Sequence, residues 1–131
     1  MSNGARPVLL SIIELGGYPD FTPLYETAGF HVVKAESVRK AVKLIRQHKP
    51  RVMVAEFNFQ SDFRDRTSSL ETLLSSMQGV TEASAIVFYE KEFEPQYQRF
   101  LQSFEVFASL TFPVEEEQLR AELQLISQKI E

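Results

Sequence analysis

Residues 49–56 read Lys-Pro-Arg-Val-Met-Val-Ala-Glu, and this stretch decides the fold. Pro50 ends the segment before it, because proline cannot continue a helix. Arg51 to Ala55 is a strand candidate whose residues after the arginine are all apolar, without alternation, which is typical of a parallel strand buried on both faces. Glu56 follows the run with a carboxylate. The stretch therefore predicts an inner strand of a parallel sheet that ends on an acidic side chain.

Apolar runs of the same kind recur on both sides of this stretch, with helical spacing between them. The runs lie at residues 8–13, 31–35, 85–89 and 106–111. Ser37, Ser68 with Glu71, and Pro95 are start signals for the helices between them. The acidic residues 115–117 suit the positive end of a last helix dipole. The sequence thus predicts five β-α units.

Five β-α units predict a three-layer αβα fold with a parallel sheet, because βαβ crossovers are right-handed and place helices on both faces. We expect the doubly wound, flavodoxin-like strand order 2-1-3-4-5. One domain should cover residues 1–131, with a core from about 7 to 130. Ligand chemistry in this class lies beyond the carboxyl ends of the strands.

Composition narrows the classes of function. The chain has 131 residues, no cysteine, only two histidines and a net charge of −4. Thiol chemistry is therefore excluded, and a histidine-rich metal site is hard to assemble. We interpret the basic residues as scattered, so no nucleic-acid partner is expected. No run is long enough to span a membrane and no secretory signal is evident, which predicts a cytoplasmic protein without membrane contact.

Three stretches carry a resemblance to a known family. Residues 28–35, Ala-Gly-Phe-His-Val-Val-Lys-Ala, resemble the pattern AGY-x-V-x-x-A. Residues 49–56 resemble KPDLVLLD, and residues 109–114, Ser-Leu-Thr-Phe-Pro-Val, resemble YLTKPF. Together they are similar to a response-regulator receiver (CheY-like) domain. The resemblance implies a part in two-component signal transduction or a phosphorelay.

The metal and acceptor positions depart from that family. The family's acidic pair corresponds to Ile12 and Ile13, which cannot ligate Mg²⁺. Glu14 offers one carboxylate at a neighbouring position. Glu56 stands where the resemblance places the phosphate-accepting aspartate. We therefore expect no metal and no cofactor.

The phosphate-binding positions depart as well. Tyr89 corresponds to the family's hydroxyl residue after strand four, and Phe112 corresponds to its lysine. Ser109 stands at the switch aromatic. Because phosphoryl transfer depends on positioning and charge neutralisation, these replacements indicate a degenerate pseudo-receiver that is not phosphorylated.

Two alternatives remain open at these positions. Glu56 is either a built-in mimic of a phosphoryl group or a strand-end glutamate that faces solvent or bonds a backbone N–H. Ile12, Ile13, Tyr89 and Phe112 either line a ligand pocket or fill the space that metal and phosphate would occupy.

The fourth helix carries four large apolar side chains at helical spacing: Tyr97, Phe100, Leu101 and Phe104. All four could be core residues. In the family, helix 4, strand 5 and helix 5 form the usual partner surface, which implies a protein partner or a homodimer through this face.

The leading hypothesis is a non-catalytic signalling module that acts by protein–protein contact. The alternative is a small-molecule or nucleotide-binding module, although Gly16-Gly17 does not form a phosphate-binding glycine pattern. A hydrolase that uses Glu14 and Glu56 as paired carboxylates ranks last.

Overall fold

The computed structural model describes residues 6–12, 20–57, 68–80 and 82–130. The five strands are β1 (Val8–Ile12), β2 (His31–Ala35), β3 (Val52–Glu56), β4 (Ser84–Tyr89) and β5 (Ala108–Thr111). The helices are α1 (Thr22–Thr27), α2 (Val38–His48), α3 (Ser68–Val80), α4 (Glu94–Leu101) and α5 (Glu116–Ile130). This order confirms the predicted five β-α units.

The sheet is parallel throughout and has the order β2-β1-β3-β4-β5, as predicted. In the register of β3 with β4, Glu56 lies opposite Phe88. In the register of β4 with β5, Tyr89 lies opposite Thr111. The carboxyl ends of β3, β4 and β5 therefore meet at one edge of the sheet.

Local signals in the sequence place α2. The Ser37 side chain accepts a hydrogen bond from the backbone N–H of Lys40 at 3.2 Å, as expected of an N-cap. Lys49 adopts the left-handed conformation, with φ of 49°, and its N–H bonds Ile45 O at 2.9 Å. Pro50 then prevents further helix.

Other boundaries differ slightly from the prediction. Helix α1 has only six residues and carries Pro23 in its first turn, which agrees with the expected short helix. Helix α3 continues through Gly79 and ends at Val80. Strand β5 begins at Ala108 instead of Val106.

Strand alternation divides the core between the two faces of the sheet. One face packs against α2, α3 and α4 and buries the inner sides of those helices. The other face packs against α1 and α5, where Leu119, Leu123 and Ile126 are fully buried. All five residues of β3 are buried, which fits its inner position. Among the described residues, no helix combines the length and apolar character that a membrane crossing requires.

Candidate functional site

The carboxyl edge of the sheet is where the sequence predicted functional chemistry. Strand β1 ends there on Ile12, which is 2% exposed. An apolar side chain packed to this degree offers no metal ligand. The predictions for Ile13 and Glu14 fall outside the described residues.

Glu56 is the last residue of β3, and only 7% of its surface is exposed. The alternative in which this glutamate faces solvent was therefore wrong. Burial of a carboxylate is costly unless neighbouring polar groups stabilise it. Glu56 is thus an enclosed part of the sheet edge.

Tyr89 ends β4 and leans onto α4. Its hydroxyl donates a 2.8 Å hydrogen bond to Glu94 Oε1 in the first turn of that helix. Its ring stacks on Tyr97, with 4.2 Å between ring centroids. Burial, followed by the bond to Glu94 and its charge, raises the pKa of Tyr89 to about 12. The phenol therefore stays protonated at neutral pH and serves as a hydrogen-bond donor to α4.

Tyr97, on which the Tyr89 ring stacks, also contacts β5. It is fully buried, and its hydroxyl lies 2.6 Å from Ser109 Oγ. Ser109 is the residue that the sequence resemblance assigns to the switch-aromatic position. A tyrosine from α4 thus fills space beside a small β5 residue.

Phe57 forms an aromatic group with Tyr97 and Phe100, and the sequence analysis did not predict this residue. Its ring centroid lies 5.1 Å from that of Tyr97 and 5.5 Å from that of Phe100. Phe100 in turn stacks on Phe104 at 5.0 Å. The signal that could have found it is an aromatic residue directly after a buried strand.

The predicted partner surface on α4 needs correction. Tyr97 is 0% exposed and Phe100 is 9% exposed, so both are core residues and neither presents a surface. Leu101 and Phe104 are half-buried. The reason is that α4 has only eight residues and directs its aromatic side chains toward β3 and β4.

Phe112 also departs from expectation. It is 41% exposed, so the interpretation that its side chain fills the interior of the sheet edge was wrong. Its backbone N–H donates to Tyr89 O at 2.9 Å, which fixes it beside the end of β4. The Phe112–Pro113 peptide bond is cis.

The described residues at this edge do not by themselves fit the Mg²⁺ site that the fold implies. A Mg²⁺ site needs several oxygen ligands in near-octahedral geometry. At the described ends of β1 and β3 the only carboxylate is that of Glu56. Across the described residues, no group of three His, Asp or Glu side chains is arranged to hold a metal ion.

The surface charge corrects a further prediction. Helix α2 exposes Arg39, Lys40, Lys43 and Arg46, and the interpretation that basic residues are scattered was therefore wrong. These side chains lie on the solvent side of the helix, while Ala41 and Ile45 are buried. Averaging charge over the whole acidic chain had hidden this basic face.

A separate cleft of about 440 Å³ opens near the amino end of β4. Lys129 enters it and donates a 3.0 Å hydrogen bond to Ser84 Oγ. The ammonium also lies 5.1 Å from the centroid of the Phe107 ring. This cleft lies at the opposite end of β4 from Tyr89.

Comparison with known proteins shows which fold this chain shares. No protein-family model matches the chain, and no curated protein matches it. Solved structures do match. The REC domain of AraT, a response regulator from Geobacillus stearothermophilus, aligns with a TM-score of 0.74 and 15% identity over 96% of each chain.

Two further solved structures have the same fold as this chain. A response regulator receiver domain protein from Clostridium thermocellum has a TM-score of 0.73 and 14% identity, over 94% of this chain and 95% of its own. A sensor protein from Polaromonas sp. JS666 has a TM-score of 0.70 and 20% identity, over 97% of this chain and 100% of its own. The chain therefore has the CheY-like fold of response-regulator receiver domains.

Proposed function

We propose that this protein is a receiver-like signalling module that acts through protein–protein contact and is neither phosphorylated nor catalytic. The receiver fold supports a signalling role. The observation that carries the rest of the proposal is the chemistry of the carboxyl edge. The resemblance assigns a metal-binding acid to the position of Ile12, which is buried, and a lysine to the position of Phe112, which is exposed.

The acceptor position supports the same proposal. Glu56 is enclosed at 7% exposure, and Tyr89 directs its hydroxyl to Glu94. Phosphoryl transfer needs positive charge around the equatorial oxygens, and neither side chain supplies it. We therefore propose that Glu56 is a structural residue in an edge that no longer carries out transfer.

The partner surface in this proposal lies around α4, β5 and α5, as the resemblance implied. The half-buried Leu101 and Phe104 and the exposed Phe112 and Leu125 supply apolar area on these elements. Aromatic residues are enriched in protein interfaces. The module would therefore present one fixed surface without a phosphorylation signal.

Acetyl phosphate with Mg²⁺, and beryllofluoride with Mg²⁺, test the proposal. We expect no saturable shift of the backbone amide signals of Glu56, Tyr89 or Phe112, because Ile12 supplies no metal ligand and Phe112 supplies no cation for a phosphoryl group. Intact-protein mass should show no added phosphate. A phosphorylatable receiver domain in the same buffer is the positive control.

The Glu56→Gln variant shows whether a signal shift caused by acetyl phosphate or beryllofluoride depends on the Glu56 carboxylate. A saturable shift that is present in the unmodified protein and absent in Glu56→Gln would overturn the proposal. A saturable shift with a nucleotide alone would instead favour the small-molecule alternative.

A further inference from the structure

The exposed side of α2 is a concentrated basic surface. Residues 37–55 contain six Lys or Arg residues and no Asp or Glu. Because the whole chain carries −4, the other residues together carry −10 once these six cations are set aside. Positive charge is therefore concentrated in this stretch of the sequence.

Several cations of α2 have no carboxylate beside them among the described residues. Within the described parts of the chain, no carboxylate lies within ion-pair distance of Arg39, Lys43 or Arg46. These three side chains follow one another at i, i+4 and i+7 along one side of the helix. Together with Val42 and Gln47 they line a shallow cleft. We call these five residues the basic cleft.

An acidic surface lies across the molecule, at the carboxyl ends of β4 and β5. Five exposed glutamates follow these two neighbouring strands: Glu90, Glu92, Glu115, Glu116 and Glu117. Lys91 lies among them, and Arg120 is paired with Glu117. We call the five glutamates together with Phe112 the acidic edge.

Phe112 gives the acidic edge an apolar projection. It is 41% exposed and precedes Glu115 by three residues. An aromatic ring with neighbouring carboxylates complements a cleft that is lined by Val42 and by the side chains of Arg39 and Arg46. Arginine groups bind both aromatic faces and carboxylates well.

We propose that the basic cleft of one molecule docks onto the acidic edge of a second copy of this chain. The proposal rests on the proposed function, since it names a partner for the module. Helix α2 packs on β1 and β2, whereas the acidic edge follows β4 and β5 at the other side of the sheet. One molecule cannot bring its own two surfaces together, so the contact is head-to-tail.

The size and charge of the basic cleft favour a protein over a nucleic acid. Helix α2 has 11 residues, which is about 16 Å of helix. A polyanion longer than this would extend over the acidic remainder of the surface, where like charges repel. A compact acidic surface of a second copy avoids that repulsion.

We expect the association to be weak and salt-sensitive. Exposed ion pairs add little affinity, and long-range attraction mainly speeds and orients the encounter. At roughly 0.01 M ionic strength the charges act over about 30 Å, whereas at roughly 1 M they act over about 3 Å.

Sedimentation equilibrium of the whole chain tests the proposal. At low ionic strength the average mass should rise above 15.0 kDa with concentration, and it should return to 15.0 kDa at high ionic strength. Head-to-tail contacts build rings or open chains of more than two copies, so the rise should continue beyond a dimer. A mass of 15.0 kDa under all conditions overturns the inference.

Charge-reversed variants locate the contact. Lys43→Glu with Arg46→Glu should be monomeric, and so should Glu116→Lys with Glu117→Lys. An equimolar mixture of the two variants should associate again, because each now complements the other. Glu26→Lys, on the exposed side of α1, is the matched control and should associate like the unmodified protein.

The remaining outcomes are also decisive. Association that survives both reversals places the contact elsewhere and overturns the inference. Binding of duplex DNA through Lys43 and Arg46 without self-association replaces a second copy with a nucleic acid. A monomeric protein that stays silent to acetyl phosphate overturns this inference and leaves the proposed function standing.

Discussion

Tyr89 shows how a single residue at the edge of the sheet is turned into a structural contact. Its hydroxyl bonds Glu94, and its ring stacks on Tyr97. Glu94 is further held by a 2.6 Å bond from Gln98, and these two contacts lower its pKa. A small hydroxyl residue could not span to α4 in this way. The tyrosine therefore ties the end of β4 to the following helix.

The raised pKa of Tyr89, about 12, predicts a loss of stability in alkali. The unfolded chain releases this proton near pH 10, whereas the folded protein keeps it to about pH 12. The unfolded state therefore binds fewer protons in that window, and the free energy of unfolding should fall as pH rises through it.

Urea unfolding at a series of pH values between 9 and 12 checks this prediction. The slope of the free energy of unfolding against pH is compared between the unmodified protein and Tyr89→Phe. Tyr89→Phe removes the titrating group and should give a shallower fall, by up to about 1.4 kcal/mol per pH unit. Tyr25 and Tyr97 also have raised pKa values, so some fall should remain. Equal slopes in the two proteins would contradict the assignment to Tyr89.

At the scale of elements, α4 and α5 differ in how their apolar residues are used. Helix α4 buries Tyr97 and Phe100 in the aromatic group that includes Phe57. Helix α5 buries a simple stripe of Leu119, Leu123 and Ile126. Leu125 lies off that stripe and is 52% exposed. The helical period therefore separates a core leucine from a surface leucine only two residues apart.

This pair of leucines makes a matched test. Leu123→Ala should lower the free energy of unfolding by about 2–5 kcal/mol, because it leaves a cavity against the sheet. Leu125→Ala should change it by less than about 0.5 kcal/mol, because its side chain is largely solvated. Chemical denaturation of both variants measures the difference, and similar losses would show that α5 is rotated from the described position.

At the scale of the whole molecule, the order β2-β1-β3-β4-β5 places β3 between two paired strands. Val52, Met53 and Val54 are fully buried there. Strand β5 has four residues, lies at the edge, and exposes Ser109 and Thr111. Stability is therefore expected to fall from the middle of the sheet toward β5.

Native-state hydrogen exchange tests this gradient. The amides of β3 should exchange only through global unfolding, whereas those of β5 should exchange faster through local opening. Strand β2, at the other edge, is the comparison for an edge position alone. Equal protection of β5 and β3 would contradict the prediction.

Much of the fold could be predicted from the sequence because its signals are local. Unbroken apolar runs, the cap at Ser37 and the stop at Pro50 act over a few residues. The right-handed crossover then leaves few arrangements for five β-α units. The basic face of α2 was also readable, from the spacing of Arg39, Lys43 and Arg46, but net charge alone conceals it.

What the sequence alone determined is the succession of strands and helices and the residue types at each strand end. Only the tertiary structure decided which of those residues are enclosed: Glu56 is buried, Phe112 is exposed, and Tyr97 of α4 fills the space beside Ser109. The physical reason is that burial depends on how distant elements pack against each other. A helical pattern gives the spacing of side chains along one element. It does not show which other elements cover those side chains, or how completely.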